Sequence, residues 1–332
     1  MEIILLMSLV ISFLVTLLLM PAWIKKCRQI GLLWRDMNKY KHPENVASSG
    51  GLIVITGFVL GVLYFVAFRT FLLNATNGIN IQIFAVLSVV LIFAILGFVD
   101  DILGWSHGGL PKRVRLLLAF VASIPLVVIN AGTPFINVPF FGELNLGFFY
   151  LLVMIPLAIV GVSTTYNFLA GFNGLEAGQG ILILSFLSYV AYVTGSAWLA
   201  VIGLCMVASL AAFYLYNRVP AKVFPGDILT YSTGAMIAIM CILGNFEKVA
   251  VFIFIPYIIE VILKLRGGLK KYSFAKPNKD GSLSMPYDKI YGLTHLSLFL
   301  LKKVKKKVYE RDVVYFIFGI QLIFIIIGFF LI

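Results

Sequence analysis

Two adjacent carboxylates, Asp100-Asp101, follow directly on the apolar run Phe93-Ala-Ile-Leu-Gly-Phe-Val. At the C-terminal end of an apolar helix they would face the negative end of its dipole and repel each other. A cation or a cationic ligand therefore accounts for them better than local helix energetics does. A second polar segment, Asn167-Phe-Leu-Ala-Gly-Phe-Asn173-Gly-Leu-Glu176-Ala-Gly-Gln179-Gly, holds amide and carboxylate oxygens and no Lys or Arg. Asn167, Asn173 and Glu176 are hard donors, and the glycines between them let backbone approach a ligand closely. In a third, Val223-Phe-Pro-Gly-Asp227, the acid is a good helix N-cap, a role worth about 1 kcal/mol. The aromatic face of Phe224 beside it has the shape to stack on a base. A fourth, Lys41-His-Pro-Glu44-Asn-Val-Ala-Ser-Ser-Gly-Gly51, is a glycine-ended loop that adds Glu44. Around these acids stand Lys112, Arg113, Arg115, Lys222 and the basic segment 264–311. Hard oxygens suit Mg²⁺, with Mn²⁺ as its substitute, held by one or two carboxylates plus substrate phosphates. The surrounding cations suit a phosphate-rich substrate. The expected chemistry is metal-dependent phosphoryl transfer between a soluble anion and an acceptor in a membrane.

The elements that must position these groups are membrane helices. The chain has 332 residues, of which 61% are apolar or aromatic and 12% charged, and its mean hydropathy is +1.03. A soluble surface would need roughly 25% charged residues, so lipid is the solvent for most of this chain. The three cysteines, Cys27, Cys205 and Cys241, are scattered singly and read as free thiols. Ten spans are predicted, at about 3–24, 50–68, 82–99, 114–131, 147–166, 179–194, 197–216, 228–244, 249–266 and 312–332. The first has no basic leader and too long an apolar stretch for a cleavable signal peptide. With the N-terminus outside, the inner loops hold all but two of the 26 Lys and Arg residues, the exceptions being Arg69 and Lys248. The net charge of +12 is then an orientation signal and not a nucleic-acid patch.

The expected fold is all-α: one polytopic integral membrane domain over 1–332, both termini outside, in the cell membrane, with its active site on the cytoplasmic face. The longest inner segment, 267–311, ends in a basic amphipathic stretch suited to the membrane surface, and the outer segment 132–147 is hairpin-like. An ion-coupled or lipid-linked sugar transporter would carry ionisable groups in mid-membrane. Here all four polar groups fall on the inner ends of spans, and spans 82–99 and 312–332 are nearly free of such residues. Glu260, the nearest candidate, reads as the i,i+4 partner of a snorkelling Lys264.

Over almost the whole chain, in order and spacing, Gly97-Phe-Val-Asp-Asp101, Asn167 to Gln179 and Phe224-Pro-Gly-Asp227 resemble the polyprenyl-phosphate N-acetylhexosamine-1-phosphate transferases. The Asn173-Gly-Leu-Glu176-Ala-Gly-Gln179 form is similar to the dolichol branch; peptidoglycan members carry aspartates where this chain has Ala170 and Asn173. The lack of long outer insertions points to an archaeal member. The resemblance implies that UDP-N-acetylglucosamine and a polyprenyl (dolichyl) phosphate give a lipid diphosphate sugar and UMP, the first membrane step of N-glycan assembly. An undecaprenyl-phosphate transferase of cell-wall or O-antigen type is the alternative. It also implies a homodimer, Mg²⁺ on Asn167 and Asp227, Phe224 stacked on uracil, and Asn173, Glu176 and Glu44 at the substrate. Lys112 matches the diphosphate-binding lysine, with Arg113 and Arg115 as alternatives, and Asp100 and Asp101 would contact the lipid phosphate or order the metal site. Lys271 stands where relatives carry basic residues for diphosphate and sugar, and His295 is the one histidine nearby. A phosphate monoester has its second pKa near about 6, so deprotonating it contributes little. Positioning and charge neutralisation should supply most of the rate.

Overall fold

The computed structural model describes residues 2–75, 78–138 and 142–331. The chain runs through α1 (Glu2–Ile30), the paired strands β1 (Leu33–Arg35) and β2 (Glu44–Ala47), α2 (Gly51–Phe71), α3 (Ile79–His107), α4 (Lys112–Ala122) and α5 (Ile124–Val128). A hairpin of β3 (Phe135–Val138) and β4 (Gly142–Asn145) leads through a π-helical turn (Tyr150–Met154) into α6 (Ile155–Phe168). Then come α7 (Leu175–Val193), α8 (Ala197–Asn217), α9 (Gly226–Gly244), α10 (Glu247–Ile253) and α11 (Ile255–Arg266). The short strands β5 (Lys276–Pro277) and β6 (Leu283–Ser284), then α12 (Leu293–Val304) and α13 (Glu310–Gly328), complete it. Helix dominates, and among the described residues strands are confined to loops.

Among the described residues, eight helices are long and apolar enough to cross a membrane: Leu6–Ile30, Gly51–Phe71, Ile79–Trp105, Tyr150–Phe168, Leu175–Val193, Ala197–Asn217, Gly226–Gly244 and Glu310–Leu331. The two other expected spans, 114–131 and 249–266, are not continuous helices. Each is cut into two, at Ser123 between α4 and α5 and at Phe254 between α10 and α11. The cause is covalent: Pro125 and Pro256 sit in the first turn of the second piece, where a missing N–H is tolerated, and could not sit inside one helix without a lost bond and a clash. Hydropathy registers apolar length but not this break.

Small residues let the helices approach. α1 presents the fully buried Ser8, Ser12 and Thr16 to Gly57 and Gly61 of α2. A Cβ on Gly57 would run into the Thr16 hydroxyl, and one on Gly61 into that of Ser12. Without a hydrophobic force between helices in lipid, such close backbone packing is what holds them together.

The same device assembles the site. A Cβ on Gly97 would lie 2.5 Å from the Asp227 carbonyl, so α3 crosses the first turn of α9 in backbone contact. A Cβ on Gly51 would lie 2.6 Å from the Leu229 nitrogen, which brings the start of α2 to the same turn. The loops before these helices are stitched together as Phe224 N donates to Ala47 O (2.8 Å) and Gly50 N to Phe224 O (2.9 Å). Gly97→Ala should therefore wedge α3 from α9, costing about 1–3 kcal/mol. Thermal unfolding of the detergent-solubilised variant reads this as a lower midpoint with reduced activity. An unchanged midpoint would mean the crossing is loose.

One expectation needs correction. α3 does not end before Asp100 but continues about two turns further, to His107. Both acids are buried inside a helix, and the oxygens that would have been stranded at a helix end are taken up by groups from other elements.

Candidate active site

A cavity of about 730 Å³ opens where the late part of α3, the end of α6 and the starts of α7 and α9 meet. Asp101, Asn167, Asn173, Glu176, Phe224 and Asp227 all line it, with Trp34, Trp105, Phe172, Tyr272 and Phe274 as aromatic wall. Segments far apart in the chain thus contribute to one space.

Asp101 and Asp227 of this lining, and Asp100 next to them, differ in what their oxygens do. Asp101 accepts from the Ser49 hydroxyl (2.9 Å) and from the Asp227 amide (2.7 Å), and also bonds the amide of Ile228. It therefore caps the start of α9 from a neighbouring helix, satisfying N–H groups that have no partner within α9. Gly226 makes room: its φ is +72°, and a Cβ there would collide with the Asp101 carboxylate. Asp100 accepts from the Leu110 amide (2.6 Å) and from the Arg115 guanidinium (2.6 Å), so it fixes the turn into α4. Arg115 also reaches Asp227 at 3.5 Å.

Asp227 is different. Its side chain is 29% exposed, against 4% for Asp100, and it faces the Asp100 carboxylate within hydrogen-bonding reach. Two carboxylates turned on one another, with one arginine between them, leave room for a further positive charge. Asn167, which hydrogen-bonds Tyr231, adds an amide oxygen at the same wall. Among the described residues no group of three His, Cys, Asp or Glu side chains gathers for a metal. This donor set suits an ion that takes few protein ligands and keeps water and phosphate for the rest, as Mg²⁺ does.

The Asn167–Gln179 segment is held by residues the sequence did not single out. Gly171 N donates to Glu176 Oε1 (2.7 Å), closing the turn on itself. The first inner loop docks on it: Asn38 Nδ2 donates to Gly171 O (2.7 Å), and Asn173 Nδ2 donates to Asp36 Oδ2 (3.0 Å). Asn173 N donates to Glu310 Oε1 (2.9 Å) from the start of α13, and Lys39 pairs with the same glutamate. Asp36, Asn38, Lys39 and Glu310 belong to inner loops and a helix start and carry no motif of their own. No pattern in one sequence separates them from their neighbours.

The remaining candidates fall in three places. Glu44 lines the cavity and pairs with Arg35 (3.0 Å) across β1 and β2, both side chains more than half exposed. Lys112 is the exposed first residue of α4 and does not line the cavity, whereas Arg115, about one turn on, reaches the acids. Helix phase decides this, since Pro111 sets where α4 begins. Lys271 and His295 also lie off the cavity: Lys271 sits over the Tyr287 ring at 4.8 Å, and His295 meets that ring edge-on. His295 is buried rather than on a surface; burial, aided by Lys264, pushes its pKa down to about 4 against the Phe274 carbonyl, so it is neutral. Their neighbours Tyr272 and Phe274 are the ones that reach the wall.

Glu260 and Lys264 form the expected i,i+4 pair at 3.8 Å, but Lys264 does not snorkel. It donates to Ser273 Oγ (2.6 Å) and Lys271 O (3.1 Å), while Glu260 accepts from Leu293 N. The pair anchors the segment that carries Tyr272 and Phe274.

A model of glycosyl transferase family 4 matches residues 83–245, which include Asp100, Asp101, Asn167, Asn173, Glu176 and Asp227. A protein of Saccharolobus solfataricus, provisionally named UDP-N-acetylglucosamine–dolichyl-phosphate N-acetylglucosaminephosphotransferase, is 35% identical over 97% of this chain and 95% of its own. The chain belongs to glycosyl transferase family 4. It is a membrane-embedded transferase. A Sulfolobus acidocaldarius protein with the same provisional name is 32% identical over 97% of the chain and 94% of its own. The phospho-N-acetylmuramoyl-pentapeptide-transferase of Streptococcus mutans is 30% identical over 76% of each. The full-length likeness runs to the first two, and the shorter one marks the wider family.

Proposed function

We propose that the transferase moves N-acetylglucosamine-1-phosphate from UDP-N-acetylglucosamine to dolichyl phosphate and releases UMP. The observation that carries this is the cavity itself: the aromatic Phe224, the amide-rich Asn167–Glu176 turn and the acids Asp101 and Asp227 line one space, Arg115 and Asp100 adjoin it through Asp227, and the surrounding helices are long enough to cross a membrane. The names of the two near full-length relatives supply the substrates.

A phosphate oxygen of the lipid attacks the β-phosphorus of the nucleotide sugar. The bond from that phosphorus to the bridging oxygen breaks, and UMP leaves with the electron pair. Phe224 packs on uracil, and Asn173 and Glu176 shape the pocket for it. Arg115, oriented by Asp100, neutralises charge building on the phosphates, and Asp101 holds the turn that carries Asp227. Asp227 and Asn167 would hold Mg²⁺. The ion, when bound, withdraws charge from the diphosphate, the dominant need in a phosphoryl transfer.

Asp100 is a positioning residue on this reading and not a general base. Asp100→Asn should lower turnover by about 10²-fold by releasing Arg115, and raising the pH to about 9 should not restore it, because the lipid phosphate is already dianionic. Full recovery at high pH would make Asp100 the base.

On this reading the cavity faces the cytoplasm, both termini lie outside and the two proline-broken segments complete ten crossings; the charge asymmetry of the loops supports it. The step would open the assembly of lipid-linked oligosaccharide. Purified transferase in lipid, given Mg²⁺ and a panel of UDP-N-acetylglucosamine or UDP-N-acetylmuramoyl-pentapeptide with dolichyl or undecaprenyl phosphate, tests the assignment. UMP release should be fastest with UDP-N-acetylglucosamine and dolichyl phosphate. A preference for the muramoyl donor and undecaprenyl phosphate would move the protein to the cell-wall branch.

A further inference from the structure

The side-chain amide of Asn173 has two ends of opposite hydrogen-bonding character, and which end meets the cavity decides what it can recognise. The surroundings leave one choice. Asp36, 4% exposed, offers Asn173 a carboxylate oxygen at 3.0 Å, and a carboxylate can only accept. The NH₂ end must therefore point to Asp36. A flipped amide would set oxygen against oxygen in a buried place. Asp36 is itself held, its other oxygen accepting from Asn38 N (3.2 Å). The Asn173 backbone is pinned as well, its N–H spent on Glu310. The carbonyl oxygen Oδ1 is then the end left over. Among the described residues it has no partner, and it is not among the enclosed unpartnered atoms, while Asn173 lines the cavity.

We infer that Asp36 is a positioning residue for nucleobase selection: it locks the Asn173 amide with its carbonyl toward the cavity, so that the site takes a uracil and rejects a cytosine. This rests on the reading of the cavity as a uridine-nucleotide site with Phe224 as the stacking face. Stacking does not tell the two pyrimidines apart, because both present the same π-face. Their edges do. Uracil carries an N–H donor at N3, flanked by two carbonyls, and cytosine carries a bare nitrogen acceptor there. A fixed carbonyl oxygen bonds the first and is left against a lone pair by the second. A site built around one hydrogen-bond polarity rejects the wrong partner strongly, because a desolvated polar group is left unpaired. Asp36 also borders the cavity, but both its oxygens are taken up by Asn173 and Asn38, so in this scheme it acts through Asn173.

The test is the ratio of UMP to CMP affinity, measured as inhibition constants and by calorimetry, alongside kcat and KM with UDP-N-acetylglucosamine. Wild type should favour UMP by about 10²-fold or more. Asp36→Asn can present either an NH₂ or a carbonyl to Asn173, so the amide is no longer locked. The ratio should fall by about tenfold or more, with KM rising and kcat changing less. Exchanging the pair, Asp36→Asn with Asn173→Asp, rebuilds the polarity: the new amide donates to the new carboxylate, whose second oxygen accepts from N3–H. The exchange should bring the ratio back to within a few-fold of wild type, which a merely structural role for Asp36 would not do. If Asp36→Asn keeps the wild-type ratio, or the exchange fails to restore it in a folded protein, the inference is wrong. Should wild type bind neither nucleotide, the uridine reading fails and the inference with it. Wild type with a high ratio and Asp36→Asn unchanged sinks the inference alone.

Discussion

Asp227→Asn should lower turnover by about 10³-fold or more and should leave the fold at least as stable as before. The two halves come from the same geometry. Asp227 spends its backbone N–H on Asp101, and that bond survives the substitution. Its carboxylate, partly open to the cavity, faces Asp100 and shares Arg115 with it. Removing one of two opposed carboxylates relieves repulsion and leaves Arg115 to Asp100, so folding loses nothing. On the proposed function, catalysis loses a residue that would hold the divalent ion and a partner for Arg115. Strain kept at a site for the sake of chemistry is the usual source of such stability–activity opposition. Activity and thermal midpoint measured on the same preparation check both halves; a destabilised Asp227→Asn would mean the carboxylate serves the fold.

Asp101→Asn does the reverse in stability. Both Asp101 oxygens are used, by the Ser49 hydroxyl on one side and by the Asp227 amide on the other. An asparagine keeps one acceptor for the Asp227 amide, turns its NH₂ toward the Ser49 hydroxyl, which must then accept, and loses the negative charge at the start of the helix. The start of α9 loses part of its cap in a buried setting, at about 1–3 kcal/mol, and the turn bearing Phe224, Gly226 and Asp227 loosens. Turnover should fall with the thermal midpoint, and extra Mg²⁺ should recover little. If activity collapsed in a protein as stable as wild type, Asp101 would belong to the chemistry directly.

The contrast between these neighbouring acids indicates how far a sequence carries. Asp100, Asp101, Asn167 and Asp227 stood out because a charge or amide beside a long apolar run is costly and needs a reason, and the resemblance grouped them. What each does was not legible. It depends on α3 continuing past Asp101, which no terminator in Ile102-Leu-Gly-Trp105 contradicts, and on Gly97 and Gly226 admitting α9 to within backbone contact. Arg115 rather than Lys112 meets the acids because α4 turns it inward, a matter of helix phase among three equivalent cations. Asp36, Asn38, Lys39 and Glu310 act at a distance of more than a hundred residues from the segment they hold, so no local pattern could mark them. The proline breaks at Pro125 and Pro256 were visible as residues, yet hydropathy averaged over them.

Membership of a glycosyl transferase family leaves open which bond is broken, and the proposed function requires it to be a phosphorus–oxygen bond. UDP-N-acetylglucosamine labelled at the β-phosphorus, incubated with the transferase, dolichyl phosphate and Mg²⁺, separates the cases in one extraction. Label entering the organic phase with the lipid, and unlabelled UMP in the water, is the predicted result. Label retained in water as UDP, with the sugar alone passing to the lipid, would contradict it.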